Sequence, residues 1–162
     1  MNIKNLSLVF TIVSAAIVTS GCQKKLVVIN GCAIQPNTVC LDANLDFVNL
    51  EGANLEGANL SGSTFWGSNL KGANLKGAIL SDVTIGNAHT NRGKIEANLE
   101  NTNFTNSFIG SSRIEGIGIE SASFQGASIC QVQFPDSISY ENDCDSDKKF
   151  QTLHEVREYS FQ

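Results

Sequence analysis

An all-β solenoid is the fold class that this 162-residue sequence predicts, and three observations predict it. The unit Ala53-Asn54-Leu55-Glu56-Gly57 is followed at once by Ala58-Asn59-Leu60-Ser61-Gly62, a repeat of period five. Counted from those Leu residues, positions 45, 50, 55, 60, 65, 70, 75, 80 and 85 and, after a break, 99, 104, 109, 114, 119, 124, 129 and 134 are all Leu, Ile or Phe. The residue two before each centre is mostly small, while the other three positions are largely Asn, acidic, Lys, Ser or Gly. On a helix a five-residue step scatters the centres round the surface, and on a flat strand it sends successive centres to opposite sides. Only a chain that turns the same way after every unit keeps each centre, and the residue two before it, on one enclosed axis.

Taken in order, residues 1–21 read as an export signal. Lys4 precedes an apolar run from Leu6 to Val18, which at thirteen residues is too short to span a bilayer and suits a signal peptide. Val18-Thr19-Ser20-Gly21-Cys22 then resembles the lipobox of bacterial lipoproteins, with Thr19 where that family usually has Leu. The resemblance implies cleavage before Cys22, lipid on Cys22 and anchoring in the cell envelope. With Gln23 next, it implies the outer membrane facing the periplasm in a Gram-negative cell. Residues 22–37 then form a lipid-anchored tether and N-terminal cap, with Leu26-Val27-Val28-Ile29 as a short strand behind a basic stretch.

Four cysteines remain once Cys22 is assigned to lipid, and Cys32, Cys40, Cys130 and Cys144 can pair in three ways. Local pairs Cys32–Cys40 and Cys130–Cys144 would each close a short loop at one end of the repeats, as an exported protein can maintain. The alternative is that some are small buried apolar residues. No Cys-x-x-Cys spacing favours a metal.

Residues 38–136 carry the repeats and clearly resemble the pentapeptide repeat family, whose A-(N/D)-L-x-x units wind a right-handed quadrilateral β-helix with four units per coil. The resemblance implies about five coils, with residues twenty apart stacked at the ~4.8 Å strand spacing. Phe104 should then stack on Phe124 and Phe65 lie under Ile85. Outside, Glu51 should meet Lys71 and Glu56 meet Lys76, while Asn49 with Asn69 and Asn54 with Asn74 should form amide ladders.

The repeat breaks at 86–97, where Thr90 stands in place of a core Leu and His89, Arg92 and Lys94 gather. A binding loop and a one-residue skip both fit. Residues 137–162 read as a C-terminal cap, with Asp147 starting a helix that carries Phe150, Leu153 and Val156 as an end cover or a homodimer contact.

Only two His, no nucleophile elbow, no HExxH and no phosphate loop argue against an enzyme, and a filled axis leaves no place for a cofactor or small-molecule substrate. Gly116-x-Gly118 is repeat text. A net charge of −5 argues against nucleic-acid binding. The reading that remains is a non-catalytic, lipid-anchored envelope protein that binds an unidentified envelope protein or acts as a scaffold, with Trp66, His89, Arg92 and Lys94 as candidate contacts. Trp66 could equally lie flat on a Gly-rich coil, and Phe47 and Phe108 are the other outward aromatics. The alternative is a gyrase-protecting nucleic-acid mimic, if the chain is not exported. The inward assignment makes a direct prediction: Leu60→Lys abolishes the cooperative thermal transition, whereas Asn59→Ser leaves it in place.

Overall fold

Each unit is a short extended stretch followed by a corner, and the side chains at fixed positions explain both. In the unit 54–57, Asn54 Oδ1 accepts the N–H of Glu56 at 3.2 Å, and the same turn recurs at Asn49, Asn69, Asn74, Asn98 and Asn103. Two residues after the centre the backbone enters the left-handed region, with φ of 67° at Gly57, and Asp42, Asp82, Asn101 and Asn106 serve there where Gly is absent. The centre is thereby turned to the axis.

The computed structural model describes residues 26–135 and the strands Ser139–Tyr140 and Lys149–Phe150. The expected signal segment 1–21, the expected lipidation residue Cys22, Cys144, and Leu153 and Val156 of the expected helix lie outside the described residues. Within them the chain winds as stacked coils. Leu50 donates its N–H to the Asn69 carbonyl at 2.8 Å, and Asn69 donates to the Val48 carbonyl at 3.0 Å. Parallel strands place Thr64 beside Thr84 and Phe65 beside Ile85, the twenty-residue register of four units per turn.

All seventeen centres are buried in one core. Phe104 and Phe124 stack with centroids 5.0 Å apart, and Phe134 meets Phe124 edge-on. Two residues before the centres, Ala58, Ala73 and Ala78 also face inward, with hydroxyls at Ser63, Ser68, Thr102 and Ser112. These hydroxyls are structural. Ser68 Oγ donates to the Leu45 carbonyl of the coil below and accepts the Val48 N–H at 3.2 Å, while Ser112 does the same for Leu80 and Val83. Smallness at this position was legible; its bonding role was not.

The register changes in two places. Asn69 lies beside Asn98 and Leu80 beside Ile109, a spacing of 29 in place of twenty, so nine residues leave the wall at the break. One coil later Asn98 pairs with Ile117, one residue short, and Asn103 with Ser123 restores the count through a 3-10 turn at Ile119–Ser121. Ile117, expected inside, is consequently 48% exposed. Gly116 and Gly118 make this slip sterically possible, because a Cβ would sit 2.6 Å from the Ala97 carbonyl oxygen and 2.7 Å from Glu100 Cα respectively.

Two further expectations are corrected. Lys71 does not pair with Glu51; its Nζ lies 2.9 Å from Glu100, which the nine-residue departure sets directly above it. Glu51 instead accepts from Asn69 Nδ2 at 3.2 Å. Lys76 and Glu56 are 3.9 Å apart, and the Asn49–Asn69 and Asn54–Asn74–Asn103 ladders form. At the far end Phe150 is not helical: Lys149–Phe150 pair antiparallel with Ala127–Ser128, and Ser139–Tyr140 with Val132–Gln133. The exposed ladder edge of the last coil has backbone groups to satisfy, and strands satisfy them where a helix could not. Ser68→Ala should cost about 1–3 kcal/mol by stranding a half-buried N–H and a buried carbonyl, read as a lower urea midpoint, whereas Ser61→Ala on the wall should leave the midpoint nearly unchanged.

Candidate functional site

The nine residues that leave the wall form a β-hairpin, so of the two readings of the break the loop is the one the structure adopts. Ala88–Thr90 pairs antiparallel with Gly93–Ile95, in the register Ala88 to Ile95, His89 to Lys94 and Thr90 to Gly93. Side chains alternate faces along a strand, so Ala88 and Ile95 share one face and His89 and Lys94 the other. Ala88 is buried, and Ile95 reaches the corner at Gly67, where Phe47 also lies. His89 and Lys94 are exposed and opposite one another, with Arg92 exposed in the turn between the strands.

The hairpin is held at tip and root. At the tip, Thr90 Oγ1 donates to the Gly93 carbonyl at 2.9 Å and accepts the Arg92 N–H at 3.2 Å. At the root, Asn87 Oδ1 accepts the Ala97 N–H at 3.1 Å, and the Asn87 N–H donates to Glu115 on the coil above. Glu115 also accepts from Arg113 at 2.8 Å, and this bond, ahead of the Asn87 amide and against partial burial, holds its carboxyl below the usual carboxylate range. The roles of Asn87, Ile95 and Glu115 in fastening the hairpin were not legible in the sequence, because nothing there marks which wall residue faces the root of an insertion.

The three hairpin candidates therefore share one projection. Lys94 is paired with Glu96 at 2.7 Å, an exposed contact, whereas Arg92 has no charged partner among the described residues. Trp66 does not join them. Its N–H backbone donates to Asp46 and its ring covers Gly86 at the strand that feeds the hairpin, where a Cβ would fall 2.7 Å from the ring. Phe108 covers Gly110 in the same way, and Phe47 stays 56% exposed. Among the described residues no three His, Cys, Asp or Glu side chains gather to hold a metal ion, and no helix is long and apolar enough to cross a membrane.

Cys32 and Cys40 are joined in a disulfide with Cα atoms 5.3 Å apart. Cys40 sits at a centre position, donating its N–H to the Asn59 carbonyl, so the bond ties the cap to the first coil. Cys130 is also disulfide-bonded, with its partner outside the described residues.

The pentapeptide-repeat family model matches residues 42–85 in eight copies, the stretch before the hairpin. A pentapeptide repeat protein of the Arabidopsis thaliana thylakoid lumen has a similar fold, with a TM-score of 0.50, 21% identity, 63% of this chain and 66% of that chain covered. HetL of Nostoc sp. strain PCC 7120, a pentapeptide repeat protein involved in heterocyst differentiation regulation, matches at 20% identity over 65% of this chain and 50% of its own, with a TM-score of 0.32. QnrB1, a plasmid-mediated fluoroquinolone resistance protein, matches at 19% identity over 61% and 50%, with a TM-score of 0.26. The present chain thus spans about two thirds of the first and half of the other two. No curated protein matches it. The family model and the first of these folds together support a pentapeptide-repeat β-helix solenoid.

Because the Glu115 carboxyl is depressed, its hold on the hairpin root is complete above the ordinary carboxylate range and is lost as pH falls through the depressed value. The Asn87 amide should therefore lose exchange protection in acid, relative to its intrinsic rate. In Glu115→Gln, which keeps an acceptor for Asn87 but does not titrate, protection should no longer vary with pH.

Proposed function

We propose that this pentapeptide-repeat chain is a non-catalytic protein-binding or scaffold module of the bacterial cell envelope, anchored by lipid on Cys22, and that the 88–95 hairpin is its contact element. The observation that carries the reading is the hairpin itself. Along the wall, polar side chains are spent on turns, ladders and ion pairs, whereas His89 and Arg92 project from a fastened insertion and make no such bond among the described residues. A rigid scaffold that presents a short loop is a common arrangement for recognition. With Arg92 and Lys94 outward, the hairpin favours an acidic protein surface.

The compartment is supported by sequence and by the cysteines. The run from Leu6 to Val18 ending at Cys22 suits a lipoprotein signal, and the Cys32–Cys40 bond suits an oxidising space. Pairing of Cys130 with Cys144 belongs to the same reading. Non-catalytic action is favoured because the acids of the wall, such as Glu100 and Glu115, are engaged with Lys71 and Arg113.

Intact mass and membrane fractionation of wild type and Cys22→Ser test the anchor. A diacylated chain beginning at Cys22, released from the membrane in the mutant, is expected; an uncleaved cytosolic chain would overturn the reading and favour target mimicry. Arg92→Glu with Lys94→Glu should leave thermal unfolding unchanged and reduce in-cell crosslinking at the hairpin about tenfold or more, the worth of a lost charge pair at an interface.

A further inference from the structure

The two ends of the solenoid are closed unequally. Antiparallel strands cover two faces of the last coil, at Ala127–Ser128 and Val132–Gln133. At the first coil the cap hairpin, Val28–Ile29 paired with Cys32–Ala33, covers only part. It packs the partly buried Ile29 and Ile34 against the core, and Asn30 Nδ2 donates to the Asn44 carbonyl at 2.7 Å. The backbone N–H and carbonyl of Asn49 and of Asn54 have no partner among the described residues. There a cleft of about 470 Å³ opens, walled by Leu26, Val27, Ile29, Ile34, Leu50 and Ala53.

Exposed apolar side chains gather at the same end. Among the described residues nine large ones are exposed, and six of them, Leu26, Val27, Val28, Val39, Leu41 and Phe47, belong to the cap and first coil. Leu26, Val27 and Val28 are 53%, 52% and 57% exposed, although a cap that finished its own end would bury them. Lys24 and Lys25 stand immediately before Leu26, and Cys22 only four residues before it. Four extended residues reach at most about 14 Å. The polar layer on one side of a bilayer is about 5–8 Å thick, so lipid on Cys22 leaves at most about 9 Å of tether beyond it and keeps this end close to the membrane.

We propose that the N-terminal end of the solenoid is a membrane-seating surface. Leu26, Val27 and Val28 lie in the interface of the leaflet that carries the Cys22 lipid, and the coils stand end-on above it. The proposal rests on the lipid-anchor reading and adds an orientation to it. Lys24 and Lys25, next in sequence, carry the charge that head-group phosphate would favour. Glu51 on the cleft wall has the opposite sign, so apolar burial rather than charge drives the seating, and a zwitterionic leaflet suffices.

The test uses the acylated full-length mature protein in phosphatidylcholine vesicles, with a single Trp placed by Val28→Trp or by Phe108→Trp in a Trp66→Phe background. Lipids brominated along the acyl chain should quench Val28→Trp at least twofold and leave Phe108→Trp unchanged. Trypsin should cut slowly after Lys24 and Lys25 in wild type and severalfold faster in Leu26→Asp with Val28→Asp. A protein that is diacylated by mass and floats with the vesicles, yet shows no quenching at either position or equal quenching at both, would overturn the seating while leaving the anchor in place. A protein that is neither acylated nor floats would overturn both.

Discussion

Every feature of this molecule follows from one constraint: each five residues must return an apolar side chain to the same axis. The chain meets it with a corner that combines an Asn turn and a left-handed residue, as at Asn54 and Gly57. Because the corner is local, it can be written many times, and because each coil hydrogen-bonds only to its neighbours, the stack grows without a long-range plan. The core is correspondingly narrow. Its centre positions admit Leu, Ile and Phe, and the position two before admits Ala or a hydroxyl that bonds the coil below.

The same locality explains how a nine-residue hairpin is tolerated inside a stack that depends on register. The chain leaves the wall after Asn87 and returns at Ala97, and Asn87 closes that gap by accepting the Ala97 N–H. Above the gap Ile114 still lies on Ile85. The insertion thus leaves the centres in register at its own level, and the one-residue slip one coil later, at Gly116 and Gly118, is a separate local adjustment where the backbone presses on residues 97–100. The Gly116 and Gly118 text, itself only a repeat fragment, is where the chain drops one residue, and the 3-10 turn at Ile119–Ser121 restores it.

What could be read in advance divides along this line. The Phe104–Phe124 stack and the Asn ladders were legible because they depend only on the period. The Lys71–Glu100 pair was not, since it depends on how many residues the break removes from the wall, and fourteen residues between Ile85 and Leu99 fit more than one division. Of the candidate site, His89, Arg92 and Lys94 were visible as a polar cluster out of period, but their fastening through Glu115 was not. Trp66 shows the converse: a conspicuous residue whose ring finds its place on Gly86. At Phe150 the helix pattern of the side chains lost to the hydrogen-bonding demand of an open ladder edge.

These pieces have a geometric consequence for recognition. The hairpin leaves the wall just above Ile85, and Ile85 stands two coils above Leu45 of the first coil, through Phe65. At about 4.8 Å per coil, its root is about 10 Å from the end that carries the tether. A solenoid is stiff along its axis, so this height does not vary as a flexible linker's would. With the N-terminal end held at a leaflet, a partner that reaches His89, Arg92 and Lys94 must itself approach within a few nanometres of that leaflet. On the proposed anchor, the low position of the hairpin would select for membrane-proximal partners, where a hairpin on the last coil would have addressed the space beyond.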